Sequence, residues 1–389
     1  MTDWDVAIVG AGPAGATAAI HLARNGHKVL LIDKKSFPRD KVCGDALIPD
    51  SLACLERMGL LSKVEKEGYK LNRAVAFSPS RIEFEVLGNF VTLKRYRLDA
   101  MLVKHALDSG ANFIETSVSD IEFLPSKVTL KTTNGATITA KVCLLATGAR
   151  IELAQKLGLI TQPKANAMAI RCYVHSDFPI DKLVFSFDHS VWPGYAWIFP
   201  LGNQEFNIGY GIFAQKNLSS NINLRESLFT FISRFPLAEE LLKHGKIISP
   251  IKGAMLRCGL TGTNLATHNN LLIIGETAGT TFSFTGEGIG KAMESAEIAA
   301  DVTANYLRTG DTSFLESYPD IITQKLQPKY LGYKMAEKWL NRSTWIIDFM
   351  ANRVKKSKFL QESLSGIVDE TFDPKTLVSV PGLIRSLFT

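Results

Sequence analysis

Residues 3–15 read Asp-Trp-Asp-Val-Ala-Ile-Val-Gly-Ala-Gly-Pro-Ala-Gly, an apolar run feeding a G-x-G-x-x-G turn. No other stretch limits the fold of this chain as tightly. Gly10 permits the tight turn, Gly12 leaves bare backbone for a phosphate, and Gly15 lets the next helix pack on the strand it left. Pro13 and Ala14 complete the turn, where a helix N-terminus offers unbonded N–H groups to an anion. The motif alone is weak evidence, so its context decides. An apolar strand precedes it, Ala16–Gly26 reads as an alanine-rich helix, and Lys28–Ile32 reads as a second strand ending in Asp33. An acid there accepts hydrogen bonds from an adenosine ribose and argues against a 2′-phosphorylated nucleotide. The pattern predicts a bound dinucleotide.

With 389 residues, the chain exceeds what one hydrophobic core organises. After a turn-rich loop at 36–49, residues 51–59 read as a helix. Alternating apolar residues between Ala74 and Leu93 then predict a hairpin. Leu98–Ser109 returns to helical spacing, and Asn112–Ala140 reads as short strands joined at Asn134-Gly135. Val142–Ala146 is a fully apolar run stopped by Thr147-Gly148, as expected of a buried parallel strand that delivers its end to a ligand. From Ala167 to Pro250 the pattern is mostly strand-like and rich in aromatics. Leu271–Ile274 runs into Gly275-Glu276, then a glycine-rich loop opens a helix from about Gly288 to Leu307. The nucleotide-binding segments are therefore expected at 1–73, 95–155 and 268–308, a substrate domain at 74–94 and 156–267, and a helical region at 309–389.

The five cysteines are odd in number and contain no C-x-x-C pair, which argues against a disulfide framework or a zinc site, and no metal is expected. No apolar run approaches the roughly 20 residues of a membrane-spanning helix. Met1 leads directly into the first strand, so a cytoplasmic protein is expected. A net charge of +6 favours phosphorylated or membrane-associated partners, and no nucleic-acid partner is expected. Between Lys325 and Lys358 stand nine Lys/Arg against two acids, Glu337 and Asp348, with Trp, Phe, Leu, Ile and Met interleaved. That segment suits either peripheral contact with a membrane or a substrate diphosphate, or else a packed helical cap with a solvated basic face.

Four separated segments belong together: Phe37–Asp45, Arg95-x-x-Leu98-Asp99, Ala146-Thr147-Gly148 and Gly275-Glu276-Thr277-Ala278-Gly279. They resemble the FAD contacts of the para-hydroxybenzoate-hydroxylase-like fold. Within it, Pro38-x-x-Lys41-x-Cys43-Gly44, Gly194-Tyr195-Ala196-Trp197-Ile198-Phe199-Pro200 and Gly286-Glu287-Gly288-Ile289 are most similar to the geranylgeranyl reductase family, over residues 1 to about 305. The resemblance implies an α/β (α+β) architecture: a Rossmann-like FAD-binding domain, an inserted antiparallel β-sheet substrate domain and a C-terminal helical region. It implies FAD as cofactor, held by Gly10, Gly12, Pro13, Ala14, Gly15, Asp33, Lys34, Arg39, Cys43, Gly44, Arg95, Thr147, Gly148, Gly275, Glu276, Gly286, Gly288 and Ile289. Two positions depart from the family: Glu276 stands for its Asp, and Thr277 for a small alanine. Arg97 lies close enough to Arg95 to compete for its role.

Gly286–Ile289 would open a helix whose positive end stabilises charge on a reduced flavin. Cys43 and Asp45 fall where the family's loop passes the isoalloxazine, and either is a candidate to deliver the proton that accompanies a hydride. A small Cys beside a glycine also simply packs, and Asp45 also suits a turn cap. Tyr195, Trp197 and Phe199 alternate along one strand and so share a face, as a pocket wall or as core; Arg171 and Tyr173 lie in a matching stretch. The implied activity is reduction of carbon–carbon double bonds in an apolar prenyl or lipid substrate. Electrons come from an external donor, NADPH or a ferredoxin-like protein, because no second G-x-G-x-x-G follows a strand. A flavin monooxygenase is the alternative on the same fold, a halogenase fits less well without the first tryptophan of W-x-W-x-I-P, and a flavin electron-transfer module is the alternative of another class.

Overall fold

The computed structural model describes residues 3–213, 222–265, 270–283, 285–340, 343–372 and 376. The chain divides into two compact units: Met1–Lys41, Arg95–Ala165 and Arg257–Pro328 form the first, and Val42–Lys94, Asn166–Leu256 and Lys329–Thr389 the second. Sequence pattern groups residues 42–73 with the nucleotide-binding segments, whereas here they cluster with the second unit. The reason is pairing: Tyr69–Phe77 is hydrogen-bonded to Glu83–Thr92 on one side and to Leu183–Ser186 on the other.

In the first unit a parallel sheet runs Asn112–Glu115, Val29–Asp33, Trp4–Val9, Thr137–Leu145 and Leu271–Ile273. An antiparallel meander, Val118–Leu124 and Lys127–Thr132, continues from the first half of Thr137–Leu145. Both faces of the central strands are covered, which is why they read as unbroken apolar runs. The register pairs Val9 with Ile32 and with Leu145, and Leu145 with Ile273. All four carboxyl ends therefore stop at one edge, where open α/β sheets bind ligands. Helix Pro13–Arg24 is buried along most of its length because it lies between this sheet and helix Ile289–Thr309. Small residues make that sandwich possible.

The second unit is built on a nine-stranded sheet. Its order is Gly245–Ile247, Ala167–Ser176, Glu205–Phe213, Tyr195–Pro200, Leu183–Ser186, Tyr69–Phe77, Glu83–Thr92 and Ala46–Leu47, with Lys252–Leu256 also on Ala167–Ser176. One face packs Ile170, Cys172, Val174, Ile198, Ile208 and Tyr210 against Leu228, Phe231 and Phe235. Phe231 and Phe235 belong to helices Leu224–Arg234 and Pro236–Lys243 and to the turn between them. The sequence pattern is strand-like through this stretch, and these helices correct it. Asn223 caps the first by accepting from the Arg225 and Glu226 amides, and Pro236 opens the second. Their apolar residues fit the sheet face more than they fit a strand period. Beyond residue 309 the chain is helical as expected, with Tyr318–Leu340, Thr344–Lys356 and Lys358–Val368 the main elements. Phe231 is fully buried and stacked on Phe235 at 5.0 Å. Phe231→Ala is therefore expected to cost about 3–5 kcal/mol in urea unfolding, a large share of the roughly 5–15 kcal/mol that holds an ordinary domain.

Candidate functional site

At the shared strand edge of the first unit, the glycine turn is fixed by close backbone approach. Gly10 adopts φ +106, and a Cβ there would lie 2.2 Å from the Ala146 carbonyl oxygen. A Cβ on Gly15 would lie 1.8 Å from the Gly10 carbonyl oxygen. Gly12 differs: its Cβ would meet nothing nearer than the Arg39 guanidinium at 3.8 Å. The two outer glycines serve the fold, and the middle one leaves open space at the helix N-terminus. Gly12 precedes Pro13 there with no side-chain cap, so the first-turn N–H groups remain for an anion.

Asp33, ending the neighbouring strand, accepts from the Ala11 amide at 2.9 Å and from the Lys35 amide at 3.1 Å, which ties this acid to the turn. Lys34 beside it is exposed, and partial desolvation followed by the Arg150 charge holds its ammonium below the ordinary value. Arg39 stands 3.2 Å from Asp99 and 3.8 Å from Asp33. Arg95 grips the fully buried Asp99 with two bonds of 2.6 and 2.9 Å. Arg95 is buried while Arg97 is exposed, so Arg95 is the one turned inward. One buried carboxylate thus positions two guanidiniums at the start of helix Arg95–Asp108.

Thr147 and Gly148 follow strand Thr137–Leu145, and Gly275–Ala278 forms a short turn after Leu271–Ile273. The Thr277 hydroxyl donates to the Gly148 carbonyl at 3.1 Å and lies 3.3 Å from the Thr147 hydroxyl. The departure at Thr277 therefore has a physical role: it joins the two ligand-facing turns. Gly275 packs on Ala14, where a Cβ would come within 2.7 Å, and its amide donates to Ser295 at 3.0 Å. Glu276 is half-buried and accepts from the Arg257 amide at 3.4 Å. Burial lowers the pKa of Arg257, Glu276 opposes that shift, and its guanidinium donates to the Gln162 and Gly262 carbonyls. Helix Ile289–Thr309 begins after Gly288 with no side-chain cap and no acid in its first turn; Gly286 turns the chain into it at φ +73. An open phosphate cradle, a fixed ribose acid and a second uncapped helix start fit an FAD.

The second unit holds the other candidates. Along Tyr195–Pro200 the residues alternate: Ala196 and Ile198 belong to the helix-covered core, while Tyr195, Trp197 and Phe199 share the opposite face. Trp197 lies flat on Gly209, where a Cβ would be 2.1 Å from its ring. Gly44 sits over the same face, 3.1 Å from Phe199 by its built Cβ. Asp45 is fully buried and held at φ +67, a left-handed conformation that costs an ordinary residue about 1–2 kcal/mol. Its Oδ2 accepts from the Tyr173 hydroxyl and from Asn207 Nδ2, each at 2.8 Å. Asn207 Nδ2 also donates to the Cys43 carbonyl at 2.8 Å, and its Oδ1 accepts from the Trp197 indole at 2.9 Å. An indole N–H only donates, so it fixes which end of the Asn207 amide faces Asp45. Lys94 and Arg171 stand over the Tyr173 ring at 4.7 and 4.2 Å.

Asn207 was not among the residues the sequence singled out. Its one signal is a polar side chain inside the otherwise apolar strand Glu205–Phe213. Among the cysteines, burial raises Cys143 to about 12 and Cys172 to about 11, and Cys54 and Cys258 are buried too; Cys43 is partly exposed.

A family model described as pyridine nucleotide-disulphide oxidoreductase matches residues 4–170. The menaquinone reductase of Mycobacterium tuberculosis is 31% identical over 319 residues, spanning 77% of this chain and 76% of that protein. A digeranylgeranylglycerophospholipid reductase of Methanoculleus marisnigri is 27% identical over 99% of both chains. Among solved structures, a geranylgeranyl bacteriochlorophyll reductase-like protein of Thermoplasma acidophilum superposes with a TM-score of 0.80 at 23% identity, covering 100% of this chain and 96% of that one. The flavin-dependent brominase Bmp2 reaches the same TM-score of 0.80 at 18% identity, covering 100% and 98%. Both structural likenesses speak to the fold alone.

Two outcomes follow from the glycine geometry. Gly12→Ala is expected to fold normally yet lose FAD affinity by about tenfold or more, read as bound flavin absorbance, because its Cβ takes the phosphate's space; Gly15→Ala is expected to lower the melting temperature even without cofactor. Brief treatment with iodoacetamide near pH 8 is expected to label Cys43 first, since the raised thiols hold almost no thiolate there.

Proposed function

The chain belongs to the geranylgeranyl reductase family of FAD-dependent oxidoreductases, and we propose that it saturates carbon–carbon double bonds of an isoprenoid chain. When bound, FAD would supply the reducing equivalents as a hydride, drawn from an external donor. In each saturation one π bond is lost and two C–H bonds form, one from that hydride and one from a proton. The protein's part is to hold the substrate's apolar chain and to provide the proton.

Asp45 carries this reading. Its Oδ2 accepts from Tyr173 and Asn207, which hold the carboxyl in one orientation. Full burial of a carboxyl is a cost that a surface turn does not carry, and it is met here by specific hydrogen-bond partners. Tyr195, Trp197 and Phe199, on the same unit, offer an apolar wall of the kind a prenyl chain buries against. Lys34, Arg39, Arg95, Thr147, Gly148, Gly275, Glu276 and the Gly286–Ile289 helix start are the contacts proposed for FAD, and Cys43 with Gly44 those for its ring system. The names of the two curated relatives, a menaquinone and a digeranylgeranyl lipid reductase, support a substrate with a polyprenyl chain. NADPH or a ferredoxin-like protein is the proposed donor, since no second dinucleotide motif follows a strand.

Oxygen-dependent chemistry is the second reading, because the fold is shared with a brominase and a fold by itself does not set the reaction. The experiment that separates them is anaerobic: chemically reduced holoprotein is offered a geranylgeranyl compound, and flavin reoxidation is followed with the product mass. Reoxidation coupled to a gain of two hydrogens per bond supports the reductase; turnover that requires oxygen overturns it. Asp45→Asn is expected to keep FAD and its reduction by the donor but to slow substrate-driven reoxidation by roughly 10²–10⁴-fold. Loss of the same size in Cys43→Ala, with Asp45→Asn near normal, moves the proton role to the thiol.

A further inference from the structure

Helix Thr344–Lys356 presents two unlike sides. Ile347, Ala351 and Val354 are buried, and the helix packs on strand Glu83–Thr92 and helix Lys358–Val368, all within the second unit. The opposite stripe runs through positions 345, 349, 352 and 356, spaced i, i+4, i+7 and i+11, and all four are exposed. It places Trp345, 64% exposed, and Phe349, 44% exposed, on the side that ends in Lys356, with exposed Lys355 at its margin. Large aromatics left in water on one face mark a surface that meets something else.

The stripe carries no carboxylate. The helix has one acid, Asp348, and it is turned away: it accepts from the Ser78 hydroxyl at 2.6 Å, the Ser80 amide at 2.9 Å and the Ser80 hydroxyl at 2.8 Å. The preceding helix repeats the composition, with exposed Leu331 and Met335 next to exposed Lys334 and Lys338. Lys358, in the next helix, is instead paired with Glu362 at 3.6 Å. Among the described residues no helix is long and apolar enough to cross a membrane.

We propose that the Trp345–Phe349–Lys355–Lys356 face docks peripherally on an anionic lipid bilayer. Tryptophan and phenylalanine insert at the headgroup level while lysine ammoniums, on flexible stems, meet the phosphates. The charge argues for that occupant over a second copy of the chain. A second copy would present this same face, which carries no carboxylate to meet the lysines, whereas an anionic headgroup complements them. The inference stands on exposure and charge, independent of which substrate the enzyme reduces.

The test is flotation of the full-length holoprotein with vesicles of equal parts phosphatidylcholine and phosphatidylglycerol, beside vesicles of phosphatidylcholine alone. Binding to the anionic vesicles only, weakened by salt, is expected. The emission removed by Trp345→Phe should move to shorter wavelength when those vesicles are added. Lys355→Gln with Lys356→Gln should weaken binding roughly thirtyfold, from about fivefold per lysine. Trp345→Ser with Phe349→Ser should abolish it, with the melting temperature and flavin content kept. Equal binding to both vesicle types, no binding to either, or a dimer mass that the serine variant alone abolishes would overturn the proposal. None of these outcomes touches the reductase reading, which the anaerobic assay decides separately.

Discussion

The first unit depends on one close approach, the Gly15 backbone against the Gly10 carbonyl. With any side chain there, helix Pro13–Arg24 cannot lie down on strand Trp4–Val9, and its N-terminus no longer points past the strand's end. From that contact the rest is registered. Ala11 donates to Asp33, Gly10 lies against the Ala146 carbonyl, and helix Ile289–Thr309 closes over the alanine-rich outer side. Burying the parallel strands on both faces stabilises this arrangement and removes every alternative register, since a slip would place Asp33 in the core.

The second unit solves a different problem, that of holding a polar cluster on an apolar sheet face. Asp45 is kept from water, so its partners must replace the solvent's hydrogen bonds. Tyr173, Asn207 and the Trp197 indole do so in a chain where each group's chemistry fixes the next. Truncating one member strands the others, so such clusters respond to mutation as a group and not as separate residues. A residue able to hold a proton is thereby positioned beside aromatics without being solvated.

Much of the first unit was legible in the sequence because phosphate binding here is local backbone geometry. Strand, turn, helix and acid lie within residues 4–33, and the motif's spacing states the shape. The helical C-terminal region was legible for the same local reason. The helices Leu224–Arg234 and Pro236–Lys243 were not, since their apolar residues answer to the sheet they cover. Asn207 was missed because it lies 162 residues from Asp45, and only the loop at residues 43–45, bonded to the Asn207 side chain, joins them. The pleat also decided that Tyr173 and Arg171 face away from Cys172 and Val174.

By itself, then, the sequence determined the dinucleotide fold, the FAD cradle and the family, because glycine spacing and strand–helix order act over a few residues at a time. Only the tertiary structure decided which side chains work together. Thr277 ties Gly148 to the Gly275 turn, Asp99 gathers Arg39 and Arg95, Asn207 orients Asp45, and Ser78 with Ser80 draws Asp348 off the outward face of its helix. Those pairings follow from chain segments that meet after folding, and hydrogen-bond geometry at that scale leaves no period in the sequence.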